Sequence, residues 1–101
     1  MTDFSAGVER LLKQIAYWEE SRWRRPAGDG TRADAVHTLI QTLADLGADA
    51  ESRPHRPVPR VHDMVLPDQL RVMTDDLLAA DPPADALARA EQAVEDTRRL
   101  L

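Results

Sequence analysis

Apolar side chains recur at helical spacing in the first quarter of the chain. At 100° per residue, a stripe about 120° wide collects most of them: Phe4, Val8, Leu11, Leu12, Ile15 and Trp18. Pro26, Gly28 and Gly30 follow, and neither residue type supports the interior of a helix. The pattern predicts a first helix over residues 3–24.

A second helix is predicted over residues 31–50. Thr31 stands three residues before Asp34, an arrangement that resembles a capping box at a helix N-terminus. The apolar face that follows consists of Val36, Leu39, Ile40, Leu43 and Leu46. Gly47 is one possible end of this helix, but the residues after it are compatible with a further turn.

Residues 52–66 interrupt the helical pattern. Pro54, Pro57 and Pro59 preclude a regular helix and favour an extended, polyproline-like path. Four apolar residues punctuate this stretch: Val58, Val61, Met64 and Val65. We expect them to hold the connection against the helices.

Two further helices are predicted over residues 67–80 and 82–101. Pro67 falls in the first turn of the third helix, where a missing N–H costs nothing. Asp81 is predicted to cap the fourth helix, with Pro82 and Pro83 in its first turn. The fourth helix has a narrow face rich in small residues, which indicates close approach to a neighbour.

The elements together predict an all-α fold. The chain fits one domain over residues 1–101, and strand signals are few. Short links between helices one and two, and between three and four, favour two antiparallel helical hairpins. The prediction is a small four-helix bundle whose hairpins are joined by a proline-rich crossover between helices two and three.

Composition narrows the classes of function. The net charge is −5, which argues against a nucleic-acid partner because phosphate binding needs a basic face. No apolar run approaches the roughly 18 residues that span a bilayer, so we expect no membrane partner. Cysteine is absent, which removes disulfides and thiolate chemistry. With no recognisable signal peptide, these features predict a cytoplasmic location, and the abundance of Arg and Ala is typical of a GC-rich bacterial genome.

One candidate interaction surface involves Trp23 and nearby arginines. An exposed Trp beside arginines is typical of an interface hot spot, although a Trp that closes the end of a core under arginine stems has the same composition. Arg56 and Arg60 lie in a proline-rich stretch that suits either a docking peptide or a rigid connection. The candidate surface is Trp23, Arg22, Arg24, Arg25, Arg56 and Arg60.

The histidines suggest a second kind of site. His37, with His62 and Asp63 from the connection, supplies ligand types suited to a divalent transition metal such as zinc. However, no two histidines have the spacing that places both on one helical face. The alternative is that His37 is a partly buried residue on the second helix, satisfied by a hydrogen bond.

Residues 23–39 resemble the beginning of the DinB-like superfamily, which includes the mycothiol-dependent maleylpyruvate isomerase type proteins. The resemblance rests on Trp23 to Pro26, on the turn that ends at Thr31, and on His37 two residues before Leu39. It implies a helical bundle, with His37 as the first metal ligand. The sequence departs from the superfamily pattern at Asp29–Thr31, where the usual Trp is missing, and in residues 66–80, which contain no His.

Two principal functions follow from these observations. The first is a non-catalytic interaction module without a cofactor, acting as a homo-oligomer or as an accessory to another protein. The alternative is a metal- or thiol-cofactor-dependent transferase or isomerase of the DinB-like kind. A third possibility is a small-molecule carrier that uses a pocket between the helices and the proline-rich connection.

Overall fold

Helices make up most of the chain, as predicted. The computed structural model describes residues 3–101, so the predicted domain of residues 1–101 includes two residues outside the described part. The helices are α1 (Asp3–Ile15), α2 (Glu20–Trp23), α3 (Arg32–Ala50), α4 (Leu66–Ala79) and α5 (Ala84–Leu100). Two short strands, β1 (Pro26–Ala27) and β2 (Gly30–Thr31), pair antiparallel between α2 and α3. None of the described helices combines the length and apolar character needed to cross a membrane.

The predicted first helix is interrupted after Ile15. Residues 16–19 leave the helical path, and α2 then adds one turn that ends at Trp23. On one continuous helix the side chains of Trp18 and Trp23 would point about 140° apart, because each residue turns the helix by 100°. The break instead brings their rings together in the core. The prediction of a single helix over residues 3–24 is therefore wrong at residues 16–19.

The start of α3 matches the predicted capping box. The Thr31 side chain accepts a hydrogen bond from the backbone N–H of Asp34 at 3.1 Å, and the Asp34 carboxylate accepts one from the backbone N–H of Thr31 at 2.9 Å. Two amide groups that lack partners at a free helix end are thereby satisfied. The helix runs through Gly47 to Ala50.

We call residues 52–62 the strap. They connect α3 to a single 3₁₀ turn at Asp63–Val65, immediately before α4. Val58 is buried, as expected, but Val61, Met64 and Val65 are 45%, 48% and 39% exposed. The prediction that all four residues face the helices is wrong for Val61, Met64 and Val65. Polar contacts, and not these three side chains, hold the strap against the helices.

The link between α4 and α5 also differs from the prediction. Pro67 lies in the first turn of α4, as expected. Asp81, however, has a φ of 50°, and α5 begins at Ala84 with Pro83 as its N-cap residue. A residue that precedes proline is disfavoured in the helical region, and Pro83 itself has extended dihedral angles, so the helix starts later. The prediction that Asp81 caps this helix is wrong.

The packing of the four long helices does not follow their order in the chain. α3 packs most extensively on α4 and also on α5, whereas α1 packs on α5 and more lightly on α4. Within residues 3–101, contacts between α1 and α3, and between α4 and α5, are minor at most. The predicted pairing of consecutive helices into hairpins is therefore wrong. The connection from α1 to α3 contains α2 and both strands. In the link from α4 to α5, Pro82 and Pro83 direct α5 away from α4.

The small-residue face of α5 is used inside the molecule. Ala86, Ala90 and Val94 are buried in the core, and a Cβ at Gly7 of α1 would lie 3.3 Å from Cγ1 of Val94. The predicted close approach is confirmed, and the neighbour is α1. This face is thus covered by the chain itself and is not available to a partner.

Candidate functional site

Trp23 lies in the core and not at the surface. Its side chain is 1% exposed, and its ring meets that of Trp18 edge to face, with 5.0 Å between centroids and 70° between planes. The guanidinium of Arg32 lies over the Trp18 ring at 4.9 Å, and that of Arg22 at 5.8 Å. The expectation of a half-exposed Trp23 is wrong. The alternative, a Trp that closes the end of the core, describes its position, with the arginines placed over Trp18.

The three arginines next to Trp23 remain at the surface. Arg22, Arg24 and Arg25 are all exposed. Arg24 forms an ion pair with Glu20 on the same short helix, at 3.2 Å. Arg22 and Arg25 line a shallow depression together with Tyr17. Because Trp23 is buried beneath them, these arginines lack the central apolar anchor that a hot spot needs, and their role in binding stays a prediction.

Arg60 and Arg56 have different surroundings. Arg60 forms ion pairs with Asp34 at 2.9 Å and with Asp63 at 3.8 Å, and so ties the strap to α3. The backbone N–H of Thr31 and the Arg60 guanidinium both lower the pKa of Asp34, which favours the charged carboxylate. Arg56, by contrast, has no ion-pair partner for its guanidinium among residues 3–101. Of these two arginines, Arg56 is the one open to a ligand.

His37 is half-buried on α3. Its Nδ1 atom is buried and has no hydrogen-bond partner within the described chain, so the predicted hydrogen bond that would satisfy it is not seen at this atom. Burial lowers the pKa of His37 below its ordinary value of 6.5, the charge of Arg60 acts in the same direction, and Asp34 opposes both. Its surroundings therefore favour the neutral form of the imidazole.

The other two histidines anchor the strap. His55 Nε2 lies 2.7 Å from Oδ1 of Asp49 on α3. His62 accepts a hydrogen bond at Nδ1 from the backbone N–H of Met64 and places Nε2 2.7 Å from Oε1 of Glu20 on α2. Both side chains thus join the strap to a helix. Their polar contacts add to the buried Val58 in holding the strap on the helices.

The predicted metal ligands are not gathered into a cluster. In the part of the chain that the structure describes, no group of three or more His, Asp or Glu side chains is placed to hold a metal ion. His62 binds Glu20, and Asp63 lies 3.8 Å from Arg60. The metal site of His37, His62 and Asp63 stays a prediction from their ligand types, with His37 alone implied by the resemblance.

A groove of about 240 Å³ lies between the strap and the helices α3 and α4. Its floor is apolar and includes Leu43, Met73 and Leu77. Proline rings and Val58 from the strap form the opposite wall. Charged groups from both sides, Arg53 and Arg56 from the strap and Asp76 from α4, also line it. A concave apolar site with a few polar groups is the usual form of a small-molecule site.

The outward face of α4 is a second candidate surface. Val72 is 52% exposed, and the 3₁₀ turn and the end of the strap add Val61, Met64 and Val65, which are also exposed. Asp68 and Asp75 lie on the same helix and are exposed. This surface therefore combines uncovered apolar side chains with acidic ones.

Sequence reasoning missed the α4 surface and several anchors of the strap. Val61, Met64 and Val65 were assigned to the interior because apolar residues in a connection usually pack inward. The anchoring role of His55 had a weak signal in the sequence, since Asp45 and Asp49 are four residues apart and share one side of α3. The sequence predicted this groove only in outline, as a pocket between the helices and the proline-rich connection.

Comparison with known protein families, with curated proteins and with solved structures found no match to this chain. The similarity of residues 23–39 to the DinB-like superfamily stays a prediction.

Proposed function

We propose that this chain is a non-catalytic interaction module that binds a basic amphipathic segment of a partner protein on the outward face of α4. The observation that supports it is an exposed apolar surface bordered by unpaired acidic side chains. In this proposal the four long helices form a four-helix bundle, with residues 52–66 as its proline-rich crossover. A cytoplasmic location remains part of the proposal.

Helical geometry places two valines of this surface side by side. Val65 is the N-cap residue of α4 and has helical dihedral angles, so the helical rotation extends to it. Val65 and Val72 are seven residues apart, which is close to two full turns. They face away from the buried stripe of Leu66, Leu70 and Leu77. An apolar strip that the chain does not cover is typical of a surface for another protein.

The negative charge around the two valines indicates which kind of partner this surface binds. Asp68 and Asp75 have no ion-pair partner among residues 3–101. The one arginine near them on α4, Arg71, is engaged by Glu9 of α1 at 3.4 Å. Residues 67–101 carry eight acidic residues against four arginines. A partner with an apolar stripe flanked by Lys or Arg complements both features of this surface.

A second copy of the chain fits this surface less well. A symmetric dimer through α4 would bring the same patch of each protomer together. Asp68 and Asp75 would then approach the same acidic residues of the other copy, and like charges in an interface cost free energy. A heterologous basic partner avoids this repulsion.

Binding of a labelled basic amphipathic helical peptide, followed by fluorescence anisotropy, tests the proposal. Val72→Asp places a charge in the apolar centre of the surface while it makes the surface more acidic. We expect this variant to weaken binding about tenfold. If binding were only electrostatic attraction to an acidic protein, the same substitution would strengthen it.

Tyr17→Asp is the matched control. Tyr17 is 94% exposed, lies in the loop after α1 and lines a depression with Arg22 and Arg25, so the substitution adds the same charge at another site. We expect its affinity for the peptide to equal that of the wild type or slightly exceed it. Equal or tighter binding by Val72→Asp, or equal weakening by both variants, would contradict the proposal. A peptide of the same composition with a scrambled apolar stripe is expected to bind weakly to all three proteins.

A further inference from the structure

The groove beneath the strap is held open by polar contacts on both of its sides. The side-chain amide of Gln41 on α3 donates to the backbone carbonyl of Arg56 at 3.0 Å and accepts from the backbone N–H of Val58 at 2.8 Å. Gln69 on α4 donates to the carbonyl of Pro59 at 3.2 Å. The strap also contains three prolines, which restrict its backbone. The groove therefore exists before any ligand binds.

The floor of the groove has small residues where the strap passes over α3. Ala44, Gly47 and Ala48 line it together with Leu43 and Leu77. A Cβ at Gly47 would make only ordinary contact with Leu77, at 3.9 Å. The space above these residues is thus set by the small side chains of α3 and by the height of the strap.

Among the described charged side chains that line the groove, one cation and one anion have no ion-pair partner. Arg53 is neutralised by Glu51, at 2.8 Å. Arg56 and Asp76 both line the groove, but they form no ion pair with each other or with any other residue in the described range. Each therefore retains its full capacity to bind an opposite charge. A ligand that carries both an anionic and a cationic group satisfies both side chains.

We propose that this groove binds a small zwitterion with an apolar body, the chemical class of an α-amino acid with an apolar side chain. The carboxylate of the ligand pairs with Arg56, because guanidinium matches carboxylate geometry. Its ammonium group pairs with Asp76, and its side chain lies against Met73 and the proline rings of the strap, which are the less buried apolar groups of the lining. The volume of about 240 Å³ is below the roughly 300–1,000 Å³ of sites for drug-sized ligands, which suits a molecule of this size. Asp76 lies four residues after Val72 on α4, so this site adjoins the docking surface on that helix.

Isothermal titration calorimetry of the full chain with L-leucine, L-valine and L-phenylalanine, up to millimolar concentration, tests the proposal. We expect saturable binding of at least one of them. Two analogues with the carbon skeleton of leucine serve as controls on the ligand: 4-methylpentanoate lacks the ammonium group, and 3-methylbutylamine lacks the carboxylate. Each is expected to bind at least about tenfold more weakly than leucine.

Substitutions at the groove assign each charge to its partner. Arg56→Gln is expected to weaken leucine binding about tenfold and to leave the binding of the amine unchanged. Asp76→Asn is expected to weaken leucine binding similarly and to leave the acid unaffected. Arg25→Gln and Asp29→Asn remove exposed charges outside the groove and are expected to bind leucine like the wild type. Circular dichroism confirms that each variant is folded.

Three results would overturn the proposal. The first is the absence of saturable binding of all three amino acids to the folded wild type. The second is binding of 4-methylpentanoate or 3-methylbutylamine as tightly as leucine, since a ligand of one charge would then suffice. The third is unchanged leucine affinity in Arg56→Gln or Asp76→Asn.

Discussion

His55 lies beside two carboxylates of α3, and this placement gives its titration a definite direction. Its ring is 2.7 Å from Asp49 and 3.8 Å from Asp45. The hydrogen bond to Asp49 is the main cause that raises the pKa of His55 above 6.5; desolvation opposes it, and the charges of Asp45 and Asp49 add to it. His55 thus attaches the strap to α3 most strongly when its imidazole is protonated.

The raised pKa of His55 predicts how pH acts on the strap. Because the folded state holds this proton more tightly than the unfolded chain, the stabilisation is fully present below the unfolded pKa of about 6.5. It is lost as pH rises through the higher folded value. We expect nuclear magnetic resonance titration to place the pKa of His55 above 6.5 and that of His37 below it.

Asp49→Asn tests the cause of the shift. This variant is expected to lower the pKa of His55 towards its ordinary value and to leave that of His37 unchanged. A His55 pKa that is below that of His37 in the wild type, or that does not move in Asp49→Asn, would refute the assignment.

Individual residues differ in how far their role could be predicted. The capping box of Thr31 and Asp34 was predictable because both partners lie within one turn of the same helix. The burial of Trp23 was not, because it depends on a break at residues 16–19 that only the packing of two indole rings favours. The partner of His62, Glu20, was not predictable because it comes from a distant element of the fold, whereas the partner of His55 had only the weak signal of two carboxylates four residues apart on α3.

At the scale of elements, the strap behaves as a strand-like segment pinned by side chains. Gln41 supplies both a donor and an acceptor to it, at Arg56 and Val58. The same Gln41 amide lies 2.9 Å from Asp45, four residues along α3. One side chain thus links the helix to the part of the strap that covers the groove.

Gln41→Ala is expected to loosen the strap. The amide of Val58 would lose its acceptor, at a cost of about 1 kcal/mol in the free energy of unfolding. Hydrogen exchange at the Val58 amide is expected to become much faster, because its protection comes from this single bond. Chemical denaturation and exchange followed by magnetic resonance measure the two effects.

Gln92→Ala provides a control of the same chemistry. Gln92 donates to Asp96 on α5 at 2.9 Å, also across four residues, but it is not bonded to the strap. We expect this substitution to leave exchange at Val58 unchanged. Rapid exchange at Val58 already in the wild type would show that the strap is not pinned, and the account of the groove would then fail.

The elements were predicted better than their arrangement. The bounds of α3 and α4 follow from local signals, a cap and a first-turn proline, and were close to the predicted residues. The start of α5 was misplaced because two consecutive prolines suit either the first turn of a helix or the extended chain before it. Which helices pack together depends on where the connections direct the chain. The apolar pattern of a single helix carries no information about this.

At the scale of the whole molecule, both proposed binding surfaces lie on the side formed by α4 and the strap. Helices α1 and α5, by contrast, pack closely against each other around Gly7 and Val94. The sequence indicated an interaction module but placed its surface at Trp23, which is buried. Helical spacing separates Val72 from the core-facing Leu66, Leu70 and Leu77, whereas the exposure of Val61, Met64 and Val65 had no such signal.

The most direct test of the binding function is an amide-resolved magnetic resonance titration of the wild-type chain with the basic amphipathic peptide. The account predicts that the largest shift changes fall within residues 61–75, at Val61, Met64, Val65, Asp68, Val72 and Asp75. Changes centred on α5, which is also acidic, or spread evenly over the acidic residues of the chain would contradict the assignment of α4 as the docking face.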